Sequence, residues 1–145
     1  MHIVTGGAYN GKSAWVRKFY QLDNVSNWHW IAAYDETCPK DLAAFGQDLI
    51  VLNGVEHWVY KWSETQSISE IRDFGRAIIS NWVNWEDEKA CRKLVVIGSD
   101  ISKGIVPMEQ QMRAWRDATG WFYQDLVEKC DRLDMIWYGV QTQLK

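Results

Sequence analysis

The chain has 145 residues, 47% of them hydrophobic and 24% charged, with a net charge of −3. That length supports one domain around one substantial core, and the acidic balance excludes a surface built to neutralise a nucleic-acid backbone. No apolar run is long enough to cross a bilayer, and Met1 leads directly into a strand-like segment with no basic, cleavable apolar leader, so a cytoplasmic protein is expected.

In chain order, His2–Thr5 reads as a first buried strand and Lys12–Leu22 as the helix after it, opened by Gly11. Trp28–Ala33 and Asp48–Asn53 are the next two strands. A second helix is expected to begin at Ser67, because the stretch SISE puts Ser67 at the N-cap and Glu70 three residues on as its reciprocal partner. Ile68, Ile71, Phe74, Ile78, Trp82 and Trp85 then recur every three or four residues, one apolar stripe facing a sheet. Leu94–Gly98 gives a fourth strand. From about Glu109 to Cys130 a third helix turns Met112, Trp115, Phe122 and Leu126 inward, and Met135–Tyr138 and Val140–Leu144 close the chain as strands. Short apolar strands alternating with helices specify an α/β fold with a mainly parallel central sheet between helical layers. The ten tryptophans are expected in that core or at a subunit interface. Cys38, Cys91 and Cys130 are widely spaced and odd in number, which suggests neither a disulfide framework nor a zinc pattern.

Between the first strand and the first helix stands GGAYNGKS, which fits the phosphate-loop spacing through Gly6, Gly11, Lys12 and Ser13. A loop so placed can wrap a phosphate with successive backbone N–H groups at the positive end of a helix dipole. Gly6, Gly7, Ala8, Tyr9, Asn10 and Gly11 are therefore expected to bind a nucleoside triphosphate within a P-loop NTPase-like three-layer fold. Lys12 is expected to reach the β and γ phosphates and Ser13 to ligate Mg²⁺. In such sheets ligands gather beyond the carboxyl ends of the strands. Ala32, Ala33 and Tyr34, which leave the second strand, are counted with the nucleotide-binding set. The third strand ends at Asn53 rather than at a carboxylate, and Glu56 follows three residues later. After the fourth strand, Asp100 reaches the same edge, where it can hold magnesium through water, take a proton from a substrate hydroxyl, or simply cap its loop. His57 reads as a structural or solvated histidine.

Two stretches, VTGGAYNGKS and GSDISKGIVPMEQQMRAWRDATGWFYQ, resemble the adenosylcobinamide kinase/adenosylcobinamide-phosphate guanylyltransferase family of cobalamin biosynthesis. The family typically pairs a VTGGARSGKS loop with an NEVGxGIVP segment and an RxxRDxxGxxNQ helix. Gly104, Ile105, Val106, Pro107, Arg116, Asp117, Gly120 and Gln124 stand in register with those motifs, and the resemblance extends through the closing strand pair, DMIWYGVQTQLK. It implies a homo-oligomer, often a trimer, that phosphorylates the aminopropanol hydroxyl of adenosylcobinamide with ATP or GTP and then transfers GMP onto the product.

The middle of the chain departs from that pattern. The family carries its covalent GMP on a histidine in an RIxxHxxxRP helix after the second strand, and here WHWIAAYDETCPKDLAAFGQDLIVLNG holds no histidine after His29. The family's glutamate at the end of the third strand is Asn53 in this chain. A kinase using Lys12 and Asp100, without guanylyl transfer by the family route, is the expectation. A noncatalytic nucleotide- or corrinoid-binding module in cobalamin metabolism remains the alternative.

Overall fold

A six-stranded sheet organises the computed structural model, which describes residues 1–145. The elements in chain order are β1 (His2–Thr5), α1 (Lys12–Phe19), β2 (Trp28–Ala32), β3 (Leu49–Asn53), α2 (Glu56–Ser63), α3 (Ile68–Asp87), β4 (Lys93–Ile97), α4 (Gln110–Lys129), β5 (Arg132–Trp137) and β6 (Val140–Gln143). A single 3-10 turn, Ala43–Phe45, lies between β2 and β3. The spatial order is β2-β3-β4-β1-β5-β6, with every pair parallel except β5 and β6. Val4 in β1 stands opposite Ile97 on one side and Asp134 on the other, while Asn53 at the end of β3 pairs with Ile97. That register brings the carboxyl ends of β1, β3 and β4 to one edge, where the chain leaves each strand in a loop.

Alternation along each strand splits the core between the two sheet faces. On one face Ile3, Ile31, Ile50, Leu52, Leu94 and Val96 meet α2, α3 and α4 through Trp58, Ile71, Ile78, Trp82 and Phe122. On the other face Val4, Val51, Val95, Ile97 and Ile136 meet Val16 of α1, with Trp15, Trp28 and Trp30 packed around them. The result is the expected α/β three-layer, P-loop NTPase-like arrangement, with one layer three helices wide and the other a single helix.

The helix at Ser67 forms as its sequence specifies. The Ser67 hydroxyl accepts from the Glu70 N–H, and the Glu70 carboxylate accepts in return from the Ser67 N–H, completing the capping box. Glu109 and Cys130 flank α4 as its caps.

Several strand ends shift by a single residue, and two boundaries and one element differ more from the sequence reading. α1 stops at Phe19 rather than Leu22, because Gln21 takes a left-handed turn at φ 51 and drops Leu22 into the core. β5 starts at Arg132, three residues before the expected Met135. Its polar opening is stable because Asp134, completely buried, receives hydrogen bonds from Arg132, His2 and Gln141. Finally, α2 was not anticipated. Its signal is Val55, Trp58, Val59 and Trp62, spaced as one face of a helix, and the first three are buried against the sheet.

Candidate active site

The loop from Gly6 to Gly11 joins β1 to α1 and forms one wall of a cleft of about 690 Å³. Gly6 is required at its start. With φ at 144, a Cβ there meets the Ile136 carbonyl oxygen at 2.2 Å, so any side chain displaces either the loop or β5. At the far end the Gly139 N–H of the β5–β6 turn donates to the Asn10 carbonyl at 2.9 Å and ties the loop to the sheet. Tyr9, at the crest, is fully exposed. Ala8, Tyr9, Asn10, Gly11, Lys12 and Ser13 all line the cleft.

Lys12 is buried, and its ammonium donates to the carbonyls of Gly6 at 3.1 Å and Gly7 at 2.8 Å. Burial pulls its pKa below the usual lysine value, while the negative charge of Glu56 works in the opposite direction. The Ser13 hydroxyl donates to the Asn53 side-chain oxygen at 3.4 Å, so the first turn of α1 faces the end of β3.

Glu56 is the carboxylate that the fold brings into this cleft. The chain turns at Gly54, and Glu56 falls in the first turn of α2, where a negative charge suits the helix dipole. It is 2% exposed. Its Oε2 accepts from the Ser99 N–H at 3.1 Å and from the Tyr123 hydroxyl at 3.2 Å, and its backbone carbonyl accepts from the Trp115 indole at 2.8 Å. The sequence placed Glu56 near the edge and left open whether it or Asp100 assists Mg²⁺ or acts as base, because the helix that aims it was not recognised.

The other expected residues are distributed unevenly. Tyr34 lines the cleft, its ring packed at 4.2 Å from that of His57, and burial followed by the Glu56 charge raises its phenol above the usual value. Ala33 is buried behind it, donating from its N–H to the Asn53 carbonyl, and Ala32 bonds to the Glu36 side chain outside the cleft. Asp100 stands beside the loop, its N–H donating to the Gly6 carbonyl. Its carboxylate, however, turns onto its own loop, accepting from the Ser102 N–H at 2.9 Å and the Ser102 hydroxyl at 2.5 Å, with Lys103 at 3.6 Å. Burial pushes that carboxyl upward, but the Ser102 bonds and the Lys103 charge outweigh it and hold it below the usual value. Asp100 is absent from the cleft wall, whereas its neighbours Ser99 and Ile101 are part of it.

His57, read from the sequence as structural or solvated, is placed on the cleft wall. It follows Glu56 on α2 and lines the cleft between Tyr34 and Trp115, whose ring centroid lies 6.3 Å away. The signal that locates it is again the helical spacing of Val55, Trp58, Val59 and Trp62, which fixes the opposite face toward the sheet edge.

The cleft therefore combines a phosphate loop, a buried lysine, a buried carboxylate and an aromatic wall at the carboxyl ends of β1, β3 and β4, an arrangement suited to group transfer from a nucleotide. No helix is long and apolar enough to cross a membrane. No curated protein matches the chain. Residues 20–144 match the family described as cobinamide kinase / cobinamide phosphate guanyltransferase, a span that includes Glu56, His57 and Asp100 and begins after the phosphate loop. That match takes in most of the sequence and agrees with the α/β architecture, and the chain belongs to the cobinamide kinase / cobinamide phosphate guanyltransferase family of nucleotide-binding transferases of cobalamin biosynthesis.

Proposed function

We propose that the chain phosphorylates the aminopropanol hydroxyl of adenosylcobinamide, with ATP or GTP as the donor. The observation that carries this reading is the meeting of Lys12 and Glu56 in one cleft, a cation at the phosphate loop and a buried carboxylate. Lys12 exchanges its two loop carbonyls for the β and γ phosphate oxygens, and the loop amides hold the rest of the triphosphate. The acceptor oxygen forms a bond to the γ phosphorus as the bond to the β–γ bridging oxygen breaks. The hydroxyl proton passes to Glu56, and the nucleoside diphosphate leaves. We give the acceptor-facing role to Glu56 rather than Asp100, because Asp100 is engaged by Ser102 and stands off the cleft wall.

Mg²⁺ fits this donor set. Ser13 and Asn53 present neutral oxygens 3.4 Å apart beside the loop, and a hard cation that keeps several waters needs few protein ligands when it also binds phosphate. When bound, the ion neutralises charge on the transferring phosphoryl group. Self-association as a trimer belongs to the same reading. Supporting it, Ile105, Val106 and Met108 in the loop before α4, and Tyr138 and Val140 at the last hairpin, expose large apolar surface.

His57 favours a second reading, in which guanylyl transfer is retained through a relocated histidine. Its ring borders the same cleft as the phosphate loop, where a neutral imidazole nitrogen can attack the α phosphorus of GTP as the α–β bridging P–O bond breaks and pyrophosphate leaves. Incubation with labelled nucleotide, Mg²⁺ and adenosylcobinamide separates the readings. Label from the γ phosphate on the corrinoid, absent in Lys12→Ala, supports the kinase. Acid-labile GMP on the protein, absent in His57→Asn, supports the second reading, and bound nucleotide without any transfer supports a noncatalytic module.

A further inference from the structure

We infer that Tyr123 is a positioning residue for Glu56, admitted to the site by the missing side chain at Gly98; the inference rests on the reading of Glu56 as the acceptor-facing carboxylate. Tyr123 lies on α4, 67 residues from Glu56, and its hydroxyl reaches across the end of β4 to the Glu56 Oε2 at 3.2 Å and the Ser99 carbonyl at 2.9 Å. The Ser99 N–H holds the same Oε2 at 3.1 Å. The Tyr123 hydroxyl has one proton, shared between the Ser99 carbonyl and Oε2, so Oε2 receives the Ser99 N–H and part of the Tyr123 O–H, while no protein donor reaches Oε1 of this cleft-lining residue. Holding one oxygen from two sides fixes the plane of a carboxylate and leaves the other oxygen free, which is what a positioned acceptor of a proton requires.

Gly98 makes this reach possible. A Cβ there stands 2.3 Å from the Tyr123 hydroxyl oxygen and 2.7 Å from its ring carbon, so alanine and the present Tyr123 position are incompatible. Trp115, eight residues before Tyr123 on α4, donates to the Glu56 carbonyl, so one helix fixes both the backbone and the carboxylate of the same residue. Tyr123 stays a donor across the working range, since burial, and then the Glu56 charge, raise its phenol well above the usual value. The charged and titratable groups facing Glu56 are Lys12 from the phosphate loop, Tyr34 from the end of β2 and Tyr123 from α4, with Asp100 acting on Tyr123 from the loop after β4.

The test compares wild type with Tyr123→Phe, which keeps the ring, and Gly98→Ala, which displaces the hydroxyl without removing it. Two quantities are read: kcat and KM for phosphoryl transfer, and the carbon-13 chemical shift of the Glu56 carboxyl at one fixed pH, assigned by its loss in Glu56→Gln. Both variants are expected to lower kcat about 10- to 100-fold, the worth of a hydrogen bond to a charged group, with the nucleotide KM within about twofold. In both, the Glu56 carboxyl resonance is expected to move from its wild-type position, because Oε2 has lost a donor. Either kcat or the resonance remaining at the wild-type value in Tyr123→Phe overturns the inference. A wild type that transfers no phosphate refutes the kinase reading on its own, and the resonance then decides whether Tyr123 holds Glu56.

Discussion

Lys12 and Glu56 reach the cleft by different routes, and that difference decides what a sequence shows. The lysine is specified locally: Gly6, Gly11, Lys12 and Ser13 are four positions in eight, and the geometry they require is a single turn between a strand and a helix. Glu56 needs the turn at Gly54, the unanticipated helix α2 and donors from Ser99 and Tyr123, which lie 43 and 67 residues away. Asp100 was the more legible carboxylate because it closely follows an obvious strand, but Ser102 two residues on engages it in a local turn, a competition that spacing does not reveal. At this scale Lys12→Ala is expected to reduce phosphoryl transfer at least about 100-fold, as removal of a charge-stabilising group does. Glu56→Gln keeps the shape and removes the proposed proton acceptor. Steady-state kinetics should show transfer reduced about 100- to 10,000-fold with nucleotide binding preserved by calorimetry. Asp100→Asn, by contrast, is expected to retain turnover within about tenfold, since an amide oxygen still accepts from Ser102.

Among the elements, α3 and α4 were legible and α2 was not. α3 carries a capping box and a stripe of apolar residues over 20 residues, enough repeats for the period to stand out. α2 has 8 residues, begins two residues after a glycine and mixes three aromatics with a glutamate and a lysine, so its period is covered by only two turns. The start of β5 was hidden for another reason: Arg132 and Asp134 look like loop residues until Asp134 meets His2 and Gln141 across strands. The cap at Ser67 gives a direct test. Ser67→Ala removes one hydrogen-bond acceptor from the first turn of α3 and should cost about 1 kcal/mol in a denaturant titration. Trp82→Ala, at the middle of the same helix and completely buried, should cost about 3–5 kcal/mol in the same measurement.

Across the whole molecule the two sheet faces carry different chemistry. The face under α2, α3 and α4 is a broad apolar core, whereas the α1 face includes a buried polar chain from Tyr20 through His2 to Asp134 and Arg132. There His2 Nε2 lies 2.7 Å from Asp134 and Nδ1 lies 2.6 Å from the Tyr20 hydroxyl, so a neutral ring donates to Asp134 and accepts from Tyr20. Burial lowers the His2 pKa from 6.5, against the pull of Asp134. The unfolded chain therefore binds a proton that the folded one does not, and the contribution of His2 to stability is lost as pH falls below about 6.5. Asp134 adds a second loss further down: burial pushes its carboxyl up, but bonds from Arg132, Gln141 and His2 hold it below 3.8 in the folded state. Denaturant midpoints measured from pH 7.5 to 5.5 should fall in wild type and fall less in His2→Gln.

All three scales converge on the cleft, where the sheet supplies the edge, α1 the phosphate loop, α2 the carboxylate and α4 its hold. The most direct measurement is transfer of labelled γ phosphate from ATP or GTP to adenosylcobinamide, in wild type and in Lys12→Ala. Labelled corrinoid phosphate from wild type, reduced at least about 100-fold in Lys12→Ala, is the expected result. Tight nucleotide binding by wild type with no label on the corrinoid would contradict it.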